Sequence, residues 1–231
     1  MNPQKPASAK VQIVKDGPYM VSGNLPLTKQ IIGTNPAGES VKWTEGQSYP
    51  RQAQYALCRC GHSANKPYCD GSHAKIKFAG AETASRASYQ KQATVQRGPA
   101  MSLTDAEHLC AFARFCDPHG QVWNLVNETD NPAAKKNFVR QVGDCPSGRL
   151  IAWDNATGQP VEPEFELSIG LIEDPANQCA GPIWLRGGVQ VIGSDGFHYE
   201  VRNRVTLCRC GASKNKPFCD GTHAAIKFTD Q

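Results

Sequence analysis

The sequence predicts an α+β protein in which two small β-rich units flank a partly helical middle segment. The main observation is an internal repeat, because residues 57–78 and 207–228 are identical at 17 of 22 positions and lie 150 residues apart. Before each copy, short apolar stretches alternate with Gly and Pro, a pattern typical of strands and turns. Between the copies, apolar residues recur at helical spacing.

The composition is that of a folded chain with a buried core. The 231 residues are 39% hydrophobic and 20% charged, which is enough for one large or two modest domains. The net charge of +4 comes from scattered Lys and Arg residues, so we expect no nucleic-acid partner. The opening residues lack an apolar signal region, and no apolar run of about 18 residues occurs, so we expect no membrane span. Ten cysteines without an export signal favour a cytoplasmic location.

The β-rich units extend beyond the repeated 22 residues. Residues 11–27 predict a β-hairpin, and residues 181–191 form a faint copy of residues 17–27 at an offset of 164. The first unit therefore contains 14 extra residues, which we place between Gly33 and Pro50, and Tyr49 and Tyr199 return to register. We divide the chain into a first unit (1–78), a linker (79–100), a middle segment (101–179) and a second unit (180–231).

The linker and the middle segment have different compositions. Residues 79–100 are rich in Ala, Ser, Gln and Thr, which favours a linker. The following residues, 102–116, begin with Ser102 and Asp105 at capping-box spacing and predict a helix. Its apolar stripe comprises Leu103, Ala106, Leu109, Ala113 and Cys116.

A second helix is predicted where Asn131-Pro132 gives an N-cap followed by proline. We expect it to place Phe138, Val139 and Val142 inward and to end near Gly143. Residues 150–179 suggest a strand pair that returns to the second unit.

Each repeat contains the pattern C-x-C-x8-C-x3-H. The candidate ligands are Cys58, Cys60, Cys69 and His73 in the first copy and Cys208, Cys210, Cys219 and His223 in the second. Four such side chains within sixteen residues, with Gly, Pro and Asn between them, indicate a metal site rather than a disulfide framework.

Two kinds of metal centre fit three cysteines and one histidine, namely a tetrahedral zinc ion and a [2Fe-2S] cluster. Structural zinc sites usually contain cysteine pairs separated by two to four residues, whereas one residue separates Cys58 from Cys60. This first pair could hold one iron. Cys69 and His73 lie one helical turn apart and could hold the second iron.

The pattern C-x-C-x2-S-x3-P-x-C-D-G-[ST]-H, present twice, resembles that of the CDGSH iron-sulfur (mitoNEET-like) family. The resemblance implies one redox-active [2Fe-2S] cluster per motif, held by the eight ligands given above. Because single-motif members are homodimers, it also implies that the two units pair as an intrachain pseudo-dimer in a monomeric chain. The absence of a membrane segment departs from the anchored members of the family.

The resemblance implies electron transfer, cluster transfer, or both, with a redox partner or an apo iron-sulfur acceptor protein. No nucleophile-base pair, phosphate loop or paired-carboxylate constellation is visible, so we do not expect an enzyme. The alternatives are a zinc-stabilised interaction module and a thiol redox protein that uses Cys110, Cys116 and Cys145.

Several residues near the ligands have expected structural roles. Asp70 and Asp220 are placed to cap the short helix that presents each histidine. The hydroxyl groups of Ser63 and Ser213 could donate to a thiolate or sulfide, or cap a turn.

Four cysteines lie outside the motifs. Cys110, Cys116 and Cys145, the last followed by Pro, loosely resemble a degenerate ferredoxin segment, although the run C-x2-C-x2-C is absent. They are candidates for a third metal site or for redox thiols. The remaining possibility, which also applies to Cys179, is that they are buried packing thiols.

Overall fold

The structure is a computed structural model and describes residues 9–230 of the chain. These residues form thirteen strands in three sheets, together with short helices, which confirms the predicted α+β class. No helix within this range is long and apolar enough to cross a membrane.

In chain order the strands are β1 (Lys10–Ile13), β2 (Tyr19–Ser22), β3 (Leu27–Thr34), β4 (Ser40–Ser48), β5 (Gln54–Leu57), β6 (Thr94–Arg97), β7 (Met101–Asp105), β8 (Leu150–Asp154), β9 (Pro160–Val161), β10 (Ser168–Asp174), β11 (Cys179–Arg186), β12 (Gln190–Ile192) and β13 (Arg204–Leu207). The α-helices are α1 (Ser72–Lys75), α2 (Tyr89–Gln92), α3 (Val122–Leu125), α4 (Pro132–Gly143) and α5 (Thr222–Ala225). Short 3-10 helices cover Glu107–Leu109, Pro118–Gly120, Val126–Glu128 and Pro175–Asn177.

The two β-rich units have the same strand arrangement. In the first, β1 and β2 form the predicted hairpin, and β2 pairs with β5, the strand that leads into the first motif. In the second, β10 and β11 form the equivalent hairpin, and β11 pairs with β13. The repeat is therefore structural as well as sequential.

The two units exchange strands. β12, from the second unit, pairs in parallel with β1, and Val11 lies opposite Val191. β3, from the first unit, pairs in parallel with β10, and Leu27 lies opposite Ile169. The first sheet has the order β12-β1-β2-β5, and the second has the order β13-β11-β10-β3-β4. Each sheet is thus completed by the other unit.

Both units contribute to one hydrophobic core between the two sheets. Equivalent positions of the two units belong to it, such as Ile13 and Leu171 or Leu57 and Leu207, and all four side chains are at most 2% exposed. Each Å² of apolar surface that folding removes from water stabilises the folded state by about 25 cal/mol. Because the largest core is shared, neither unit has a comparable core of its own, as expected for an intrachain pseudo-dimer.

The 14 extra residues of the first unit form most of the β3–β4 hairpin. The amides of Tyr49 and Tyr199 donate to the equivalent carbonyls of Leu27 and Val191, at 2.9 and 3.0 Å, which fixes the two ends of the insertion. On the added strand, the Trp43 indole packs beside Trp184 and donates to the carbonyl of Asp144 at 3.1 Å. The insertion therefore connects the first unit to the middle segment.

The middle segment forms its own sheet, with the order β6-β7-β8-β9, covered by α3 and α4. The second predicted helix is confirmed as α4, where the Asn131 side chain accepts hydrogen bonds from Ala133 and Ala134. Phe138 and Val142 are fully buried in a separate core.

The predicted helix over residues 102–116 is wrong. Residues 101–105 form the strand β7, which pairs with both β6 and β8, so tertiary pairing overrides the helical spacing. Farther along, Phe112 and Arg114 have φ angles of 54° and 61°, which no right-handed helix accommodates.

The structure also shows where the expected segments begin and end. Within the expected linker, residues 89–97 form α2 and β6, and β6 belongs to the middle sheet. β10 lies in the second sheet, so the boundary at residue 180 separates two strands of one hairpin. The alternation around β10 is weak in sequence because its residues are buried on both faces.

Candidate metal centres

Each motif begins where a strand of the shared core ends. β5 ends at Leu57 and is followed by Cys58, whose amide donates to Pro67 at 2.8 Å. The chain turns and returns beside the strand, where the amide of Cys69 donates to Ala56 at 2.9 Å. The second motif repeats these bonds from Cys208 to Pro217 and from Cys219 to Thr206, each at 2.9 Å. The strand ends therefore set the spacing of the ligands.

The predicted ligands meet in pairs. In the first motif, the Sγ atoms of Cys58 and Cys60 are 3.8 Å apart, and the Sγ of Cys69 is 3.3 Å from Nδ1 of His73. The corresponding distances in the second motif are 3.7 and 3.3 Å. Within residues 9–230, no three His, Cys, Asp or Glu side chains converge on a position that could hold a single metal ion. Two ligands per metal is the division expected for a binuclear centre.

A short helix presents each histidine, and an aspartate fixes its start. The Asp70 carboxylate accepts hydrogen bonds from the amides of Ser72 and Ala64, at 2.9 and 2.8 Å. These bonds hold the pKa of Asp70 well below its usual range. Asp220 accepts the equivalent bonds and one from the Thr222 hydroxyl, as the capping prediction required.

The serine hydroxyls cap turns. Ser63 Oγ donates to the carbonyl of Tyr68 at 2.6 Å and accepts from the amide of Asn65 at 3.0 Å. Ser213 makes the same two bonds, with Phe218 and Asn215. Of the two roles considered for these residues, the structure shows the turn-capping role.

The arginine between the first two cysteines is an additional site residue that the sequence analysis did not single out. Arg59 is 1% exposed and donates to the carbonyls of Gly17 and Gly80, both at 2.8 Å. Arg209 is also buried, donates to Gly181 at 2.6 Å and pairs with Glu173 at 3.0 Å. Each motif therefore contains a buried arginine whose guanidinium group is held by backbone carbonyls. Its presence at the same position of both repeats was the available signal.

The hydrogen bonding of the backbone amides around the thiols shows whether the loops suit an anionic cluster. Among the residues that the structure describes, the amides of residues 59–63 and 209–213 donate to no protein oxygen. The amides of Gly71 and Gly221 approach the sulfurs of Cys69 and Cys219, both at 3.4 Å. Amides that lie beside thiols and have no protein oxygen as acceptor suit an anionic group such as cluster sulfide. The residues present fit an iron-sulfur group.

The two motifs pack directly against each other. A Cβ atom on Gly61 would lie 2.7 Å from the carbonyl oxygen of Cys210, and one on Gly211 would lie 2.5 Å from that of Cys60. Both glycines have a φ of +79°. Only glycine fits this contact, so the two ligand loops meet backbone to backbone at the pseudo-dimer axis.

We expect Gly61→Ala to lower the midpoint of urea unfolding, with a loss of at least about 2 kcal/mol, because a strained φ is combined with a backbone clash. The control is Gly38→Ala, which has a φ of +81° and no atom within 4 Å of the added carbon. It should cost only the strain of about 1 kcal/mol. Equal losses in the two variants would show that the contact between the motifs contributes nothing.

The second motif is more deeply buried than the first. His223 is 4% exposed, whereas His73 is half-buried. Burial, followed by the charge of Arg209, lowers the pKa of His223 to about 4. Burial also raises the pKa of the Cys219 thiol well above its usual value, so binding a metal there must release a proton.

The linker and the middle segment provide this cover. A Cβ atom on Gly221 would lie 3.3 Å from the carbonyl oxygen of Cys110, whereas one on Gly71 would meet no atom within 4 Å. The Asn215 side chain donates to the carbonyl of His108 at 3.0 Å, and the amide of Thr83 donates to Lys216 at 2.8 Å. The two motifs have the same ligand residues but differ in how far those residues are exposed to solvent.

The three middle cysteines of the ferredoxin-like pattern lie around one cavity. Cys110, Cys116 and Cys145 line a small, partly open pocket of about 20 Å³ together with Arg114 and Arg149. Cys179 lies elsewhere, at the start of β11, and is buried.

Comparison with protein families gave two matches. The family described as iron-binding zinc finger, CDGSH type, matches residues 16–74 and 180–224. The family described as divergent 4Fe-4S mono-cluster matches residues 96–155, which include all three cavity cysteines. No curated protein and no solved structure gave a match.

The ligand-type side chains, the unpaired amides and the matched families define an iron-sulfur protein. Within that class, the two matched regions are consistent with a CDGSH iron-sulfur protein that carries two tandem motifs.

Proposed function

We propose that the chain holds two [2Fe-2S] clusters, one in each motif, and that it transfers electrons or donates clusters to a partner. Cys58 and Cys60 bind one iron of the first cluster, and Cys69 and His73 bind the other. Cys208 and Cys210, with Cys219 and His223, do the same in the second motif. When bound, the clusters supply one-electron redox chemistry, and the protein supplies ligands, charge and access.

The observation that carries this proposal is the pairing of ligands two by two. The shortest distances, 3.3–3.8 Å, join Cys58 to Cys60 and Cys69 to His73. A structural zinc ion needs four ligands around one point, and no such convergence occurs among residues 9–230. The pairing therefore supports a binuclear centre over the zinc-stabilised module.

The charges around the ligands favour reduction. Three thiolates bring an oxidised [2Fe-2S] centre to a formal charge of minus one, whereas four would bring it to minus two. The smaller negative charge makes electron addition easier than at a centre with four cysteines.

The exposed rim of the first motif is the side that a partner would reach. His73 is half-buried, whereas His223 is buried. Ile76, three residues after His73, is 43% exposed, and its equivalent Ile226 is 50% exposed, so the access of the histidine is what distinguishes the first motif. An exposed apolar side chain beside a redox group suits a transient protein contact. We assign this rim to a redox protein or an apo iron-sulfur acceptor, with the chain acting as a monomer and not as an enzyme.

The metal content of the purified chain tests the proposal. Two binuclear clusters contribute about four iron and four acid-labile sulfide per chain. Cys69→Ser and Cys219→Ser should each remove about half of this iron, because each breaks one centre. Zinc near two per chain without sulfide would instead establish the zinc-stabilised module.

Mixing the loaded protein with an apo-ferredoxin separates the two roles. Appearance of a cluster on the acceptor supports donation. Rapid oxidation of an already loaded, previously reduced ferredoxin by the oxidised protein, with the iron content of both proteins unchanged, supports electron transfer.

A further inference from the structure

We propose that the chain has a binding site for a small planar aromatic molecule with one negative charge, in the pocket where the first unit, the second unit and the middle segment meet. No residue of either metal-binding motif lines this pocket. The site is therefore independent of the proposed iron-sulfur function.

The pocket has the size of a small-molecule site. Its volume is about 400 Å³, and it is partly open to solvent. Pockets that bind small molecules usually have volumes of about 300–1,000 Å³. Each of the three parts of the chain contributes to its lining, with Trp43 on β4, Trp184 and Arg186 on β11, and Val139 and Arg140 on α4.

Three aromatic side chains lie together at the pocket. The rings of Trp43 and Trp184 have centroids 4.8 Å apart, and the ring of Phe165 meets that of Trp184 edge-on at 5.5 Å. Trp43 and Phe165 are only half-buried, so part of each ring is open to a ligand. Trp184 is 1% exposed, and its Nε1 has no acceptor among residues 9–230. Because aromatic rings stack favourably on other flat rings, this lining favours a planar aromatic ligand.

The charge of the ligand is set by Arg186. Its guanidinium lies over the rings of Trp184 and Phe165, 5.1 and 5.9 Å from their centroids. Its Nε is buried and, in the part of the chain that the structure describes, has no acceptor. Burial lowers the pKa of Arg186, and the charge of the exposed Glu45 offsets this only in part. Because the side chain as a whole is half-buried, an acceptor from outside the chain can reach it.

The lack of a partner distinguishes Arg186 from the other arginines that are buried or half-buried. Each of the others donates to a carbonyl or carboxylate of the protein, namely Arg59, Arg114, Arg149, Arg202, Arg204 and Arg209. The fold therefore satisfies such side chains as a rule, and Arg186 is the exception. An unpaired guanidinium at a pocket is suited to bind a carboxylate through two parallel hydrogen bonds.

The acidic side chains at the pocket already face positive charges. Glu162 pairs with Arg204 at 2.8 Å. The charge of Asp144 is opposed first by that of Arg140 and then by that of Arg204. Arg186 is then the one charged side chain of the lining without an opposite charge at hand, so a single carboxylate on the ligand completes the balance.

A ligand in this pocket would contact all three parts of the chain at once. Trp43 belongs to the hairpin that the first unit alone contains, Arg186 ends β11, and Val139 lies in α4. A ligand that binds the folded chain and not the unfolded chain stabilises the fold by mass action. We therefore expect a saturating ligand to raise the midpoint of urea unfolding.

Calorimetric titration of the purified full chain with naphthalene-2-carboxylate tests the site. We expect one saturable site per chain. Naphthalene-2-carboxamide, which has the same rings and no charge, should bind about ten-fold more weakly or worse, because it cannot form a charge-assisted hydrogen bond. Cyclohexanecarboxylate, which has the charge without the flat rings, should also bind more weakly. Equal binding of the carboxylate and the carboxamide, or the absence of saturable binding, would overturn the proposal.

Variants locate the site. Arg186→Gln should weaken binding of naphthalene-2-carboxylate about ten-fold or more and remove the rise in the urea midpoint. Val139→Trp, which fills the pocket and keeps Arg186, should abolish binding. Arg51→Gln, an exposed arginine outside the pocket, is the control and should bind like the unmodified chain. Far-ultraviolet circular dichroism verifies that each variant is folded.

If Arg186→Gln does not fold, Arg186→Lys replaces it, because lysine keeps the charge and loses the paired geometry. It should weaken binding while Arg51→Gln does not. Binding that is the same in the unmodified chain, in the Arg186 variant and in Val139→Trp would place the ligand elsewhere and overturn the proposal.

Discussion

Acid should remove the cluster of the first motif before that of the second. His73 is half-buried, whereas His223 is 4% exposed and has a pKa lowered to about 4 by burial and by Arg209. A lowered histidine pKa means that the neutral, metal-binding form persists as the pH falls from about 6.5 towards 4. We therefore expect two phases of absorbance loss between about pH 5 and 7, with rates that differ roughly ten-fold.

His73→Cys should slow the fast phase roughly ten-fold or more, because a thiolate on ferric iron is harder to protonate away than an imidazole. The cluster should remain, with a more negative charge and a lower potential. His223→Cys is the matched control and should leave the fast phase unaltered. If the fast phase persists in His73→Cys, protonation of this histidine does not trigger release.

Arg204→Gln should lower the free energy of unfolding by about 3–5 kcal/mol. It removes a buried guanidinium group that donates to several carbonyls and pairs with a carboxylate. The guanidinium, 1% exposed, donates to the carbonyls of Val142, Cys145 and Leu150, at 2.6, 2.7 and 3.1 Å. It also pairs with Glu162 at 2.8 Å. Gln is the residue of the first motif at this position, Gln54, so the change is compatible with the strand.

Chemical unfolding of the unmodified chain and of the Arg204→Gln variant measures this loss, and Lys135→Gln is the control. Lys135→Gln breaks an exposed ion pair with Asp154, 3.7 Å long, and should cost less than about 0.5 kcal/mol. Comparable losses in the two variants would mean that Arg204 does not hold the middle segment to the second unit.

The local patterns of the motifs were predictable from sequence because ligands and turn residues lie close together in the chain. The repeat gave the two-unit fold, the hairpin at β1–β2 and the return to register at Tyr49 and Tyr199. Asn131-Pro132 gave α4 because an N-cap acts through its own next residues. These features depend on local chemistry alone.

Features that depend on distant residues were not predictable. The stripe from Leu103 to Cys116 has helical spacing, yet pairing with β6 and β8 makes its first part a strand. The pairing of β3 and β12 with strands of the other unit cannot be read from the pattern of a single sequence. The cover over Gly221 likewise arises from residues more than 100 positions away, at Cys110.

The exchange of strands has a consequence for biosynthesis. Lys10, in β1, lies opposite Gln190, and the parallel partner of β3 begins at Ser168. A nascent chain that has just released the first motif from the ribosome therefore has neither of its sheets complete. At about 5–20 residues per second, the missing strands follow some seconds later. Iron delivered to the first motif during that interval would meet an unfinished fold, so loading belongs after synthesis of the whole chain.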